Sequence, residues 1–269
     1  MDTGILEVYD RRRNKVVKAN ELIQKSRFNL TLQQQKVVLY LISRIKPTDE
    51  DFQEYEFSIS DFCRVCGISE TSGKNYQALK NAIKEIADKS LWIDCDKGET
   101  LIRWIEKPYI NKQSGTVRIR LDADMKPYLL QLKKNFTEYE LIWTLNFKSK
   151  YTIRLYELIK SIHYREMETY EREFSLTDLR KLLDAEKYDT YQNFKARVLN
   201  PAVNEINSAS DKVVSYTPIK NGKSVVSIRF AIGTKPPTET YLLQEQIEQQ
   251  FGLNQLTFWN DTGEMNCGN

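Results

Sequence analysis

Apolar residues recur at steps of three and four along much of this chain, and the stretches that break the rhythm are short and rich in β-branched and aromatic residues. Leu32, Val37, Leu41 and Ile45 give one helix an apolar face, and Thr31-Leu-Gln-Gln34 has the spacing of a capping box at its start. After a polar, acidic loop (Pro47 to Glu56), Ser58 to Gly67 predicts a short helix and Ile68 to Gly73 a turn. A longer helix follows from about Lys74 to Lys89. Its apolar stripe is Tyr76, Leu79, Ile83 and Ile86, which leaves Lys74, Asn75, Gln77, Lys80, Asn81 and Lys84 on the other faces. Leu91–Cys95, Thr100–Ile105 and Thr116–Leu121 read as strands, with turns at Asp96-Lys-Gly-Glu and Asn111-Lys-Gln-Ser-Gly.

The same order then recurs. Ala123 to Lys134 reads as helical, and Thr137-Glu-Tyr-Glu140 has capping-box spacing before Leu141-Ile-Trp. Tyr151 to His163 is a helix with Ile153, Tyr156, Ile159 and Ile162 apolar. From about Asp189 to Asn207, Tyr191, Phe194, Val198 and Ala202 form a buried stripe, and Lys187, Thr190, Asn193, Lys195 and Arg197 cluster near the N-terminal half. Pro201 should kink this helix or end its first segment, because it removes an amide and crowds the preceding turn. Val213–Ile219, the turn Lys220-Asn-Gly-Lys223 and Ser224–Ile232 make the clearest hairpin in the chain.

Wording repeats along with rhythm. Phe57-Ser-Ile-Ser-Asp-Phe62 and Phe174-Ser-Leu-Thr-Asp-Leu179 each open a short helix, a break and a longer helix, and Leu79-Lys-Asn-Ala-Ile-Lys-Glu-Ile86 has its counterpart in Leu199-Asn-Pro-Ala-Val-Asn-Glu-Ile206. Two helix pairs, each with a basic second helix and a following hairpin, predict an α+β chain of two tandem winged-helix domains related by internal duplication. Such a pair can hold successive grooves of one DNA duplex. The expected divisions are a flexible basic leader (1–21), a first domain (22–134) for DNA binding and dimer contact, a second DNA-binding domain (135–235) and a flexible acidic tail (236–269).

Charge sharpens this picture only slightly. Residues 236–269 carry no Lys or Arg but five acids (Glu239, Glu245, Glu248, Asp261, Glu264), so the rest of the chain holds 40 basic and 32 acidic residues, a net +8. A basic body suits a polyanion. Arg11-Arg12-Arg13 with Lys15 and Lys18 reads as a solvated tail. The longest apolar run, Val37 to Ile42, is far too short to span a bilayer and the N-terminus lacks a secretory signal pattern, so the expectation is a cytoplasmic protein without membrane contact.

Candidate chemistry is sparse. Cys63-Arg-Val-Cys66 has metal-ligand spacing, but only Cys95, Cys267 and the single histidine, His163, remain as soft ligands, and two small core residues on a helix is the simpler reading. A nicking enzyme would need a tyrosine nucleophile with a metal held by paired histidines. Nucleotide loops of the Gly-x-x-x-x-Gly-Lys-Ser/Thr kind are absent from the sequence. The chain therefore reads as a binder, with no enzyme activity, cofactor or metal. Asn75, Gln77, Asn193 and Arg197 are candidates for reading base edges, and Lys74, Lys80, Lys84, Lys187, Lys195, Lys220 and Lys223 for phosphate contacts.

Over about residues 16–235 the chain resembles the replication initiators of iteron-bearing, theta-replicating bacterial plasmids, of the RepB and RepE type. The resemblance rests on Lys18-Ala-Asn-Glu-Leu-Ile-Gln with Asn29-Leu-Thr-Leu, on Tyr151-Thr-Ile-Arg-Leu-Tyr-Glu-Leu-Ile, and most specifically on Phe194-Lys-Ala-Arg-Val-Leu-Asn-Pro-Ala-Val-Asn-Glu-Ile-Asn207. It implies a monomer that binds repeated origin sites, helps melt the adjacent duplex and recruits host replication proteins, and a homodimer that represses its own promoter. A tandem winged-helix repressor without an origin function is the alternative. Gln255-Leu-Thr-Phe-Trp259 resembles the short peptide that docks on the bacterial sliding clamp, with Phe258 and Trp259 standing where Leu-Phe is usual. Leu256, Phe258 and Trp259 packing back on the protein is the other reading.

Overall fold

A computed structural model describes residues 10–66, 73–111, 113–162 and 169–250, with the side chains of residues 73–76 also left aside. The basic leader, expected to be flexible, is structured from residue 10 onward. Lys15–Ala19 is strand β1, whose alternating Val16 and Lys18 point inward and are both buried. Helix α1 (Asn20–Lys25) and the short strand β2 (Ser26–Arg27) follow. Local pattern could not reveal this, because a Lys in a charge run reads as solvated until its partner is known.

Helix α2 (Leu32–Ile42) starts as expected: the Thr31 hydroxyl accepts from the Gln34 N–H and the Gln34 side chain accepts from the Thr31 N–H. Strand β3 (Tyr55–Ser58) leads into α3 (Ile59–Val65), where the Ser58 hydroxyl accepts from the Asp61 N–H at 2.9 Å. Tyr40 of α2 meets Phe57 and Phe62 edge-on, both at 5.3 Å between ring centroids, at about 0.5–1.5 kcal/mol per pair beyond burial. Helix α4 (Gly73–Ala87) is the second of the pair, and Leu79, Ile83 and Ile86 bury its stripe against that cluster. The expected turn between the helices lies outside the described residues. Cys63 and Cys66 are buried core residues, and burial pushes the Cys66 thiol up to about 12, which keeps it protonated.

Strands β4 (Ser90–Cys95) and β5 (Gly98–Arg103) form the expected hairpin, with β2 paired to β4. The third expected strand goes elsewhere. After β6 (Tyr109–Ile110), β7 (Thr116–Ile119) pairs with β3 and β6 in a separate sheet, and the bridge Ile105–Leu121 relates it to the hairpin's end. The helix expected over 123–134 is a 3-10 turn (Ala123–Met125) and a four-residue helix α5 (Lys126–Leu129). Leu130 then turns extended, and Gln131 and Asn135 adopt positive φ.

The capping box expected at Thr137 does not form. Phe136–Glu140 is strand β8, antiparallel to β1, with Thr137 opposite Lys18 and its hydroxyl donating to Asn20 Oδ1 at 2.7 Å. A Thr-x-x-Glu spacing suits a strand as well as a cap, and pairing with β1 decides between them. Helix α6 (Leu141–Asn146) precedes α7 (Lys150–Ile162), which is buried on nearly every face. A helix apolar on one stripe yet buried all round must bury polar groups in pairs, and α7 does so through Arg154 and Glu157.

The second domain follows the expected order: β9 (Thr169–Ser175), α8 (Leu176–Leu182) capped by Ser175, and a long helix from Tyr191 to Ala209. That helix has three parts. Helix α9 (Tyr191–Phe194) passes into a π-turn (Lys195–Leu199), and α10 (Asn200–Ala209) carries Pro201 in its first turn. The Asn200 N–H donates to the Lys195 carbonyl, five residues back. This wider turn is how the chain passes the proline, which neither donates to nor fits under a regular turn. Strands β10 (Lys212–Asn221) and β11 (Ser224–Thr234) pair with each other, and β9 pairs with β11. The two-residue turn is Gly222-Lys223, one position later than Asn-Gly, because a bulge after Ile219 shifts the register; Gly222 supplies φ +61°.

The acidic tail is helical at its start, in the stretch where Tyr241 to Phe251 has the pattern of a small amphipathic helix. Residues 237–250 form helix α11, and Ile247 and Glu248 on it are buried. The buried apolar residues of both domains and Ile247 form one continuous core.

Candidate nucleic-acid interface

The two long helices of the helix pairs present their polar residues outward. On α4, Gln77, Asn81 and Lys84 are exposed and Lys80 half-buried, and the Gln77 amide donates to Asn81 Oδ1 at 2.9 Å. The side chains of Lys74 and Asn75 lie outside the described ones. On the second helix the Thr190 hydroxyl accepts from the Asn193 N–H, fixing the start of α9. Asn193, Lys195 and Arg197 are exposed, while Phe194 and Val198 are fully buried beneath them. Arg180 of α8 lies over the Phe194 ring at 5.4 Å, which locks the helix pair together. Tyr191, expected within the buried stripe, is only half-buried.

Sequence reasoning missed part of this surface. Gln192, Asn200 and Asn204 are exposed on the same long helix, and Asn200 accepts from the Tyr216 hydroxyl at 2.6 Å, tying β10 to the helix. For Asn200 and Asn204 the spacing of three and seven residues from Arg197 was the available signal, since such steps share a helix face. Lys187, just before the helix, is exposed with its ammonium 5.2 Å from the Tyr188 ring centroid.

The wings differ in charge. At the tip of β10–β11, Lys220 and Lys223 are exposed, and neither they nor Lys195, Arg197, Lys80 or Lys84 makes an ion pair with any described residue. A cation held on a rigid element without a carboxylate keeps its full attraction for phosphate. On the β4–β5 wing Arg27 is bonded to both Asp94 and Glu99, and Trp92 sits opposite Leu101 with both side chains exposed.

Between the domains lies a charged network that sequence reading did not anticipate. Glu157 accepts from Lys18 Nζ at 2.6 Å and from the Tyr139 hydroxyl at 2.5 Å. Arg154 donates to the carbonyls of Ser26 in the first domain and Leu182 in the second, both at 3.0 Å, and lies 4.3 Å from the Phe28 ring centroid. Burial holds the Lys18 ammonium and the Arg154 guanidinium below their usual values against the pull of Glu157, and lifts the Tyr139 hydroxyl well above its own. His163 and Gln255, Leu256, Phe258 and Trp259 lie outside the described residues. Among the described residues no helix is long and apolar enough to cross a membrane.

Comparison with known proteins matches this arrangement twice within the chain. The family model described as "Initiator Replication protein, WH1" matches residues 15–160, and "Initiator Rep protein, WH2" matches residues 175–232. The first match runs past the division expected at 134/135. A replication initiation protein of Escherichia coli is 28% identical over 246 residues, covering 88% of this chain and 71% of that protein. The crystal structure of the Pi initiator protein in complex with iteron DNA is similar in fold, with a TM-score of 0.70 at 20% identity over 83% of this chain and 98% of that one. The chain, with one winged helix under each match, belongs to the initiator replication protein family.

Proposed function

We propose that this protein is a sequence-specific, double-stranded DNA-binding replication initiator that engages repeated sites (iterons) at a plasmid origin in the cytoplasm and carries out no catalysis itself. The observation that carries the reading is the second recognition helix: Asn193 and Arg197 stand exposed over a fully buried Phe194 and Val198, with two exposed lysines at the adjoining wing tip. Side chains that can form paired hydrogen bonds to base edges, next to cations with no carboxylate partner among the described residues, are the two parts of specific DNA binding. The Pi initiator protein, which shares the fold, is seen bound to iteron DNA.

Origin opening, recruitment of host replication proteins and repression of its own promoter by a homodimer extend this reading. Footprinting on the DNA flanking the gene tests it. Protection of tandem repeats beside an AT-rich segment supports an initiator, and protection of a lone inverted repeat in a promoter supports a repressor instead. A sliding-clamp contact through Gln255-Leu-Thr-Phe-Trp259 predicts that Leu256→Ala with Phe258→Ala abolishes clamp pull-down; an unchanged pull-down removes that part.

A further inference from the structure

Arg12 and helix α11 lie outside both family matches, yet they meet in the interior. Arg12 and Glu248 are 236 positions apart, each 1% exposed, with Arg12 Nη1 donating to Glu248 Oε2 at 3.1 Å. The rest of the same guanidinium serves the first helix pair: Nε donates to the Val65 carbonyl at 2.7 Å and Nη2 to the Arg64 carbonyl at 2.9 Å. Those carbonyls end α3, where a helix lacks amide partners and its dipole favours a cation.

The other end of α11 is fixed to the second helix pair. Lys235, two residues before the helix, is 7% exposed; its N–H donates to the Asp211 carbonyl at 2.9 Å and its Nζ to the Asn207 carbonyl at 2.5 Å, in the last turn of α10. Between the two ends the Gln244 amide bonds to Glu140 of β8, Arg13 faces Glu245 at 3.8 Å, and Ile247 is in the core. Fourteen helical residues rise about 21 Å, so a rigid rod runs from the end of one recognition helix to the first helix of the other pair.

We infer that α11 is a strut that sets the distance and rotation between the two helix-turn-helix units, and that Arg12, Glu248 and Lys235 are positioning residues that determine which spacing of DNA half-sites the protein accepts. Buried ion pairs add little net stability compared with apolar packing and are best suited to fixing register, and the Arg12–Glu248 pair fixes how the strut sits against the first helix pair. The spacing part rests on the proposed DNA binding, whereas the strut itself does not.

The test uses the full chain with Cys95→Ser and Cys267→Ser and nitroxide labels at Gln77→Cys and Lys195→Cys, read by double electron–electron resonance. The parent should give one narrow distance distribution, and Arg12→Met or Glu248→Ala should broaden it at least about twofold while retaining the parent's circular dichroism. Lys235→Met, which removes the Nζ contact to the Asn207 carbonyl at the other end, should broaden it likewise and keeps the test decisive if Arg12→Met does not fold. Unchanged widths in the folded variants would overturn the strut.

A second arm selects a duplex from a random pool with the wild-type protein and inserts base pairs between its two half-sites. Two inserted pairs rotate the halves by about 70° and should weaken wild-type binding about 100-fold but Glu248→Ala binding by less than about tenfold. An equally steep loss in both overturns the positioning role. If wild type selects no duplex, the DNA-binding reading and the spacing claim fall together, and the label distances still decide the strut.

Discussion

The two winged helices share a plan and differ where they would meet a partner. The first wing is a hairpin of two six-residue strands with acidic Asp94 and Glu99 engaged by Arg27 and with Trp92 and Leu101 about half exposed, at 45% and 52%. The second wing has strands of 10 and 11 residues and ends in Lys220 and Lys223. An acidic, apolar wing repels phosphate, whereas a lysine-tipped one attracts it. The recognition helices differ as well: α4 is regular throughout, and its counterpart is interrupted by a π-turn that carries Lys195 and Arg197. The shared plan supplies the scaffold, and the parts proposed to meet DNA differ between the two copies.

The comparison breaks first if the domains are not one body. Phe62→Ala in the first and Phe194→Ala in the second each delete a fully buried ring and should cost about 3–5 kcal/mol, both lowering the same single urea or thermal transition. Two separate transitions, each responding to one variant, would show that the shared core does not couple the domains.

At the interface, Arg197→Ala should cost about 1–3 kcal/mol of specific binding and almost none on scrambled duplex. Gln77→Ala, on the first recognition helix, should cost about 1 kcal/mol or less. Equal losses in titrations of the two variants would cancel the ranking of the helices. Lys220→Ala should weaken binding to all sequences alike and lower the salt slope by about 1, whereas Lys97→Ala at the first wing should leave both unchanged.

The smallest effect is a pH dependence at Lys212 in the second domain. Burial, reinforced by the nearby Lys160 and opposed by Asp211, lowers the Lys212 ammonium to about 8. Between about pH 8 and 10 the unfolded chain holds that proton more than the folded one, so Lys212 makes stability rise with pH in that window. Denaturant titrations of wild type and Lys212→Met at about pH 8 and 10 should show a steeper rise in wild type than in the variant, and parallel curves would discard it.

Periodicity made the helix pairs, the Thr31 cap and both hairpins legible, because each depends on neighbours within a few residues. Lys18 and Arg12 were not legible. Their partners Glu157 and Glu248 lie 139 and 236 positions away, so a charge run that looked solvated is partly buried. Thr137 failed for a related reason: its fate depends on a strand that begins at Lys15. That Asn193, Lys195 and Arg197 face outward was legible from the apolar stripe alone, whereas the tie between Asn200 and the Tyr216 hydroxyl depends on a neighbouring strand.

The pairing of β1 with β8 has a consequence for synthesis. The first domain cannot close its edge until residue 140 has emerged from the ribosome, and the contact between Arg12 and Glu248 must wait for residue 248. Contacts of such long sequence separation form late and slowly. The nascent protein should therefore resist protease only after nearly its whole length is made, and arrested chains ending near residue 134 should be digested where full-length ones survive.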